Sequence, residues 1–361
     1  MKVARAKIEN FRKIESLELD FTNSFGEVQK VSILAGPNTS GKTTILDALA
    51  VCLGLGTELS FARPSFEVTP RLVRQGELYA KVTCSVVFTP EEIEATREVF
   101  RLTESGQVPD PKDGKVEVKW TYPDPKQKSR GGDLTFTPHN AWMLFKGRTK
   151  VARLLSTRLV DWSWFQRVGG IFTFDQQRTG LGRTIPREIW NIIGGAFRNG
   201  ESDEENRRTS DPRTILLSLA VQSKFDPLPG AAQTDQFKLI KEQYNRVCDP
   251  HNLLDVRRIS PDELDLRFSD GVNEYLYEEL SSGEEMLLLF LISMVSQHVH
   301  KSIIFLDELE LHLHPIWQRK MLHMLPQIGL DNQIIATTHS QYLREVAPPE
   351  SVIDLGNLLN E

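Results

Sequence analysis

The sequence has few cysteines, no long apolar run and no large excess of either charge. Cys52, Cys84 and Cys248 are far apart and lack the CxxC spacing of zinc sites, which also argues against a disulfide framework. No stretch approaches the roughly 20 uninterrupted apolar residues that span a bilayer, and the first residues lack the apolar core of a signal peptide. We therefore expect a cytoplasmic protein that does not engage membranes.

The net charge of −6 over 361 residues gives no global attraction to nucleic acid. A DNA contact would need a local basic patch, and the best candidate is residues 146–150 with Arg153 and Arg158. The same residues also fit a solvated helix face, so DNA binding stays an open alternative.

Short apolar runs separated by turns predict strands near both ends of the chain, at residues 3–8, 14–21, 31–35, 264–268, 274–277, 303–306, 333–337 and 352–355. Alternation with helices predicts an α/β fold with a largely parallel sheet. We predict a nucleotide-binding core at 1–100 and 264–361, with 101–263 as an inserted or lid region. No heptad pattern appears between Thr44 and Leu280, so long coiled-coil arms are not expected.

Residues 36–43 fit the phosphate-binding pattern G-x-x-x-x-G-K-[ST] between an apolar strand and an apolar helix. Backbone N–H groups of such a loop surround phosphate oxygens, Lys42 would reach the terminal phosphates, and the Thr43 hydroxyl would bind Mg²⁺. The predicted ATP-binding residues are Gly36, Asn38, Ser40, Gly41, Lys42, Thr43 and Thr44.

The apolar run 303–306 ends in two acids, Asp307 and Glu308. A buried strand that ends in acids is common, but the phosphate loop upstream favours a Walker B strand. Asp307 would then hold Mg²⁺ and Glu308 would polarise the attacking water.

Residues 280–285, Leu-Ser-Ser-Gly-Glu-Glu, open an apolar helix with a serine cap. They resemble the ABC signature, usually LSGGQ, in the form found in SMC-like and RecF-like ATPases. The resemblance implies that this turn contacts the γ-phosphate held by a partner's phosphate loop. The residues assigned to this contact are Ser281, Ser282, Gly283 and Glu284.

The same resemblance assigns three further positions. His339, at the end of an apolar strand, is the expected switch histidine. Gln176 or Gln177 is the expected Q-loop ligand of Mg²⁺, with the choice between them open. Arg12 matches an arginine near the nucleotide, although simple surface charge is the alternative.

Residues 310–315 resemble the D-loop region of these ATPases. His312 and His314, with His298 and His300, raise a metal-site hypothesis. Pro315 as the first residue of a helix explains the local pattern better.

Together these motifs resemble the RecF/SMC-like branch of ABC ATPases, especially stand-alone AAA-type proteins that accompany nucleases or toxins in prokaryotic defence modules. The resemblance implies a P-loop NTPase fold with a mixed or parallel sheet and a helical lid, ATP and Mg²⁺ as cofactors, and ATP hydrolysis by a homodimer or higher oligomer. The chain ends soon after His339, so we expect any effector on a separate chain. Alternatives are a RecF-like DNA-repair clamp and a nucleotide-gated scaffold with little turnover.

Overall fold

The computed structural model describes residues 1–37, 40–54, 70–103, 106–123, 132–157, 159–174, 212–224, 235–261 and 263–356. The strands are β1 (Lys2–Phe11), β2 (Ile14–Asp20), β3 (Val31–Ala35), β4 (Ala80–Val87), β5 (Lys115–Tyr122), β6 (Asp133–Thr137), β7 (Ile171–Phe174), β8 (Asn252–Ser260), β9 (Glu263–Ser269), β10 (Glu274–Leu276), β11 (Ile303–Leu306), β12 (Gln333–Thr338) and β13 (Val352–Asp354). The α-helices are α1 (Lys42–Gly54), α2 (Pro90–Leu102), α3 (Gly147–Ser156), α4 (Pro212–Gln222), α5 (Gln236–Cys248), α6 (Ser282–Ser296), α7 (Pro315–Met324) and α8 (Gln341–Val346).

The strands form three sheets. One is antiparallel with the order β2-β1-β4-β5-β6, and a second is parallel with the order β13-β3-β12-β11-β7. A third, antiparallel sheet has the order β10-β9-β8. The α/β class and the parallel sheet predicted from the sequence are confirmed.

The parallel sheet separates two hydrophobic cores because its side chains alternate between faces. Ile303 and Phe305 of β11 pack in the core shared with α1 and the antiparallel sheet. Ile304 and Leu306 point to the opposite face, where α6 and the neighbouring helices cover them. Helix α1 is apolar all round because it lies between the two larger sheets.

The predicted boundary at residue 100 does not follow the sheets. Strands β5 and β6 extend the N-terminal antiparallel sheet to residue 137, and β7 lies at the edge of the parallel sheet beside β11. The sequence does not reveal this pairing, because helix α2 separates β4 from β5 along the chain. Part of the predicted insertion therefore belongs to the core sheets.

The longest α-helix in the described residues, α6, has 15 residues. None of the described helices combines the length and apolarity needed to cross a bilayer.

Candidate functional site

The phosphate-binding loop leaves β3 and enters α1, as the sequence predicts. Gly41 has φ +80°, a conformation that favours glycine, and a Cβ on Gly36 would lie 2.8 Å from Ser40 Oγ. Lys42 Nζ donates to the carbonyls of Gly36 and Pro37 at 2.8 Å. The first two residues of the loop thus contact the lysine that is predicted to meet the phosphates. Asn38 lies outside the described residues.

Lys42 faces the acids at the end of β11. Burial lowers the pKa of Lys42, and the carboxylates of Glu310, Asp307 and Glu308 oppose that shift. Topology explains the juxtaposition, because β3 and β11 flank β12 and their carboxyl ends share one edge of the parallel sheet.

A hydroxyl and a carboxylate meet where Mg²⁺ is expected. Thr43 Oγ1 lies 3.2 and 3.1 Å from the two carboxylate oxygens of Asp307. Asp307 also accepts a 2.6 Å hydrogen bond from the Thr337 hydroxyl. Hydroxyl and carboxylate oxygens are the ligands that Mg²⁺ prefers, so the residues present fit this ion.

Glu308 and His339 lie side by side at the same sheet edge. His339 Nε2 is 3.8 Å from Glu308 Oε1; Glu308 is half-buried and His339 is exposed. Glu308 has φ +49°, which is uncommon for a residue other than glycine. Its backbone N–H donates to Thr337 Oγ1 at 2.8 Å.

Glu310 has a structural role that the sequence did not indicate. Its carboxylate accepts from the Thr338 hydroxyl at 2.8 Å and from the backbone N–H of His339. It thereby connects the turn after β11 to the backbone of His339 after β12. Its position two residues beyond Glu308 only weakly indicates this role in the sequence, because Glu310 meets Thr338 only through the pairing of β11 with β12.

The predicted signature turn caps α6. Ser281 and Glu284 form a reciprocal capping box, and Ser281 and Ser282 are exposed. Glu284 is buried within the chain, and its contact with a partner's nucleotide stays a prediction. Its carboxylate accepts from Tyr244 at 2.7 Å and Tyr275 at 2.6 Å.

The environment of Glu284 also includes His251, whose Nδ1 lies 3.0 Å from Glu284 Oε1. Burial raises the pKa of Glu284, but hydrogen bonds from Tyr275 and Ser281 outweigh it, and the net pKa lies below its usual value. The carboxylate is therefore an internal brace for the turn.

Gly283 is needed for packing within the chain. A Cβ at this position would lie 2.4 Å from the His312 carbonyl oxygen, closer than atoms can approach. The signature turn therefore rests directly on the segment that follows Walker B.

Arg12 lies against α1. Its guanidinium pairs with Asp47 at 2.8 Å, one turn beyond Thr43. Burial raises the pKa of Asp47 to about 6, although Arg12 opposes the shift. Arg12 is thus placed beside the phosphate-loop helix, and its contact with a nucleotide stays a prediction.

Several predicted residues lie outside the described part of the chain, and one described residue lies away from this cluster. Gln176 and Gln177 lie outside the described residues, as does Arg158. Arg148, a member of the predicted basic patch, is buried and donates to the carbonyls of Gln297 and His298. Arg148 is therefore not available at the surface for the predicted contact with DNA.

The histidines do not form a metal centre in the described part of the chain, where no group of three or more candidate ligands occurs. His314 caps α7, with Pro315 as its first residue. Burial lowers the pKa of His298 to about 3 and that of His300 to about 4, so both are neutral at physiological pH.

The phosphate loop, the paired acids of β11 and His339 after β12 lie at one edge of the parallel sheet, an arrangement typical of P-loop ATPases. Two family models match the chain. One, described as "AAA domain", matches residues 5–137, and the other, described as "AAA domain, putative AbiEii toxin, Type IV TA system", matches residues 188–345.

Similar proteins point to the same class. Septu protein PtuA of Bacillus thuringiensis is 30% identical over 133 residues, which are 32% of this chain and 34% of PtuA. Retron Ec83 probable ATPase of Escherichia coli is 21% identical over 94% of this chain and 69% of its own length. The chain thus matches about a third of PtuA.

The fold matches the SMC head in the crystal structure of the SmcHead bound to the C-winged helix domain of ScpA. The TM-score is 0.53 at 14% identity, over 96% of this chain and 92% of that one. The chain is therefore an ATPase with the fold of an SMC head, and its similarity to AAA-domain models and to these relatives agrees with the RecF/SMC-like resemblance of its motifs.

Proposed function

We propose that this chain hydrolyses ATP with Mg²⁺, that two copies enclose the nucleotide head to head, and that the cycle regulates a separate effector chain. Lys42 and the loop N–H groups would hold the phosphates. Thr43 and Asp307 would hold Mg²⁺, which neutralises charge on the transferred phosphoryl group when it is bound. The contacts between Thr43, Asp307 and Thr337 support this assignment.

Glu308 would orient the attacking water and accept its proton as the general base. The neighbouring His339 would donate a hydrogen bond to the phosphoryl oxygens. Their separation of 3.8 Å lets both side chains face one reacting centre. Glu310 holds the backbone of His339 in this arrangement.

The exposed signature turn is the observation that carries the proposed dimer. Ser281 and Ser282 lie at the N-terminus of a 15-residue helix, where backbone N–H groups and the helix dipole favour an anion. Among the described residues, no hydrogen bond joins this turn to the chain's own phosphate loop. A second copy, related by two-fold symmetry, would supply the matching phosphates.

The proposal of a separate effector rests on the descriptions of the similar proteins and family models. One matching family description names a putative toxin of a Type IV TA system, and the similar proteins carry Septu and retron names. With the resemblance to ATPases of defence modules, they support control of a nuclease or toxin chain. An effector that binds the open and closed dimers with different affinity would respond to hydrolysis.

A Glu308→Gln variant tests this proposal when purified from its native cells. Loss of the base should leave ATP bound, so sizing with light scattering in ATP and Mg²⁺ should show at least twice the 41.1 kDa chain mass. Mass spectrometry identifies any companion chain. A Lys42→Ala variant is the control and should stay monomeric.

Two outcomes would count against the proposal. A Glu308→Gln variant that stays monomeric in ATP contradicts the head-to-head dimer. A dimer without any companion chain supports the ATP-enclosed heads and contradicts the separate effector.

A further inference from the structure

The backbone of Glu308 needs an external restraint. Its φ of +49° lies in the left-handed region, which costs an L-residue energy and persists only where neighbouring groups hold it. The residue is also the proposed base, so a small rotation of this backbone would move the carboxylate away from the reacting centre.

Thr337 supplies that restraint from the adjacent strand. Its side chain is fully buried, and its Oγ1 accepts the backbone N–H of Glu308 at 2.8 Å. Its main-chain carbonyl accepts the N–H of Leu309 at 2.9 Å. Two successive N–H groups after β11 are thus anchored on a single residue of β12.

The same hydroxyl also orients the predicted metal ligand. Because Glu308 donates to Thr337 Oγ1, the threonine proton can be directed to Asp307 Oδ1, which lies 2.6 Å away. Asp307 in turn faces Thr43 at 3.1 to 3.2 Å. One hydroxyl therefore touches both halves of the Walker B pair.

We propose that Thr337 is a positioning residue that sets the Asp307 carboxylate and the Glu308 backbone together through one shared hydroxyl. Thr337 touches neither the nucleotide nor the water in this scheme, and its effect passes through the two acids. The inference rests on the proposed ATP hydrolysis for its catalytic consequence. Its structural consequence, protection of the Glu308 amide, is independent of that activity.

The test compares Thr337→Val with Thr337→Ser. Valine keeps the β-branched shape that suits a strand but removes the hydroxyl, whereas serine keeps the hydroxyl. Thr83→Val is the matched control, because Thr83 is a half-buried strand residue of the antiparallel sheet, away from the acids.

The first measurement is hydrogen–deuterium exchange of the peptide containing Glu308 and Leu309, without nucleotide. Loss of the acceptor leaves the Glu308 N–H without its partner, so exchange in Thr337→Val should be faster by about fivefold or more. Thr337→Ser and Thr83→Val should exchange like the wild type.

The second measurement is steady-state ATP hydrolysis. For Thr337→Val, kcat should fall by about tenfold or more with a smaller change in KM, because in this scheme the hydroxyl contacts the two acids and not the nucleotide. Thr337→Ser should recover most of the loss. Thr83→Val should leave kcat unchanged.

The inference is overturned if Thr337→Val exchanges and hydrolyses like the wild type, if serine fails to rescue, or if Thr83→Val causes the same losses. Lower activity with unchanged exchange also contradicts it, since the hydroxyl would then act by another route. Absence of hydrolysis by the wild type would count against the proposed function instead, while the exchange measurement would still decide the role of Thr337.

Discussion

At the scale of single residues, the carboxylates near the phosphate loop differ in what holds them. Asp307 is held by the hydroxyls of Thr43 and Thr337, whereas Glu310 holds the backbone of His339, the predicted switch histidine. Asp47 is different, because burial raises its pKa to about 6 against the opposing charge of Arg12. Its ionised form is therefore a cost to folding at neutral pH.

An Asp47→Asn substitution should reveal this cost as a pH dependence. With a folded pKa of about 6 and an ordinary pKa of 3.8, the folded chain binds the proton more tightly than the unfolded chain. The wild-type free energy of unfolding therefore falls as pH rises through this range. The asparagine variant should gain about 2 kcal/mol relative to wild type between about pH 4.5 and about pH 7.5, measured by urea denaturation.

Asp20→Asn is the control for that prediction. Asp20 lies on β2, and although burial raises its pKa, hydrogen bonds from Thr22 outweigh that effect, so the net shift is downward. Its replacement should not produce the rise seen for Asp47. Parallel pH profiles for wild type and Asp47→Asn would refute the assignment of a raised pKa.

At the scale of elements, the signature helix α6 is held at both ends. Glu284 anchors its first turn to Tyr244 of α5 and Tyr275 of β10. At the other end, Arg148 of α3 donates to the carbonyls of Gln297 and His298. The helix dipole also favours a cation at this C-terminal end. The signature turn is thus presented on a helix with two fixed ends.

Replacement of Arg148 by Met should destabilise the whole chain. The guanidinium lies 4.3 Å from the Phe165 ring centroid and donates to the carbonyls of Gln297 and His298. Methionine keeps an apolar stem but leaves the carbonyls of the helix end without this donor, so the free energy of unfolding should fall by about 2–4 kcal/mol. Chemical denaturation measures the change.

Arg153→Met on the same helix is the comparison. Arg153 is exposed, so its replacement should change the free energy of unfolding by less than about 0.5 kcal/mol. Equal changes in the free energy of unfolding for the two substitutions would mean that the buried hydrogen bonds of Arg148 do not stabilise the chain.

The elements themselves were largely predictable. The strands expected at residues 31–35, 303–306 and 333–337 are β3, β11 and β12, because a buried parallel strand is a short apolar run. Their order in the sheet was not predictable, since strands far apart in sequence pair. The bonds of Glu310 and Thr337 depend on that order and could not be found from local pattern.

Residues with a local signature were assigned better than those that depend on tertiary contacts. The phosphate loop and the paired acids carry recognisable spacing, and the structure brings them together. Glu284 and Arg148 look like exposed charges in the sequence, yet both are buried with partners from other elements. Burial of a charge is decided by the fold and not by its neighbours in the chain.

At the scale of the whole molecule, the phosphate loop and the signature turn of one chain are not joined by a hydrogen bond in the described residues, although the proposed reaction needs both. Two variants separate them. Lys42→Ala removes the phosphate contact. Ser282→Glu places an acid where a helix start favours it but where a partner's phosphate would be repelled.

The most direct measurement of the central claim is ATP hydrolysis by a mixture of these two variants. Each should be inactive alone, because every dimer has two broken sites. A mixed dimer has one complete site, so an equal mixture should recover about a quarter of wild-type activity. Activity of the mixture equal to the sum of the separate variants would contradict the enclosed, head-to-head dimer.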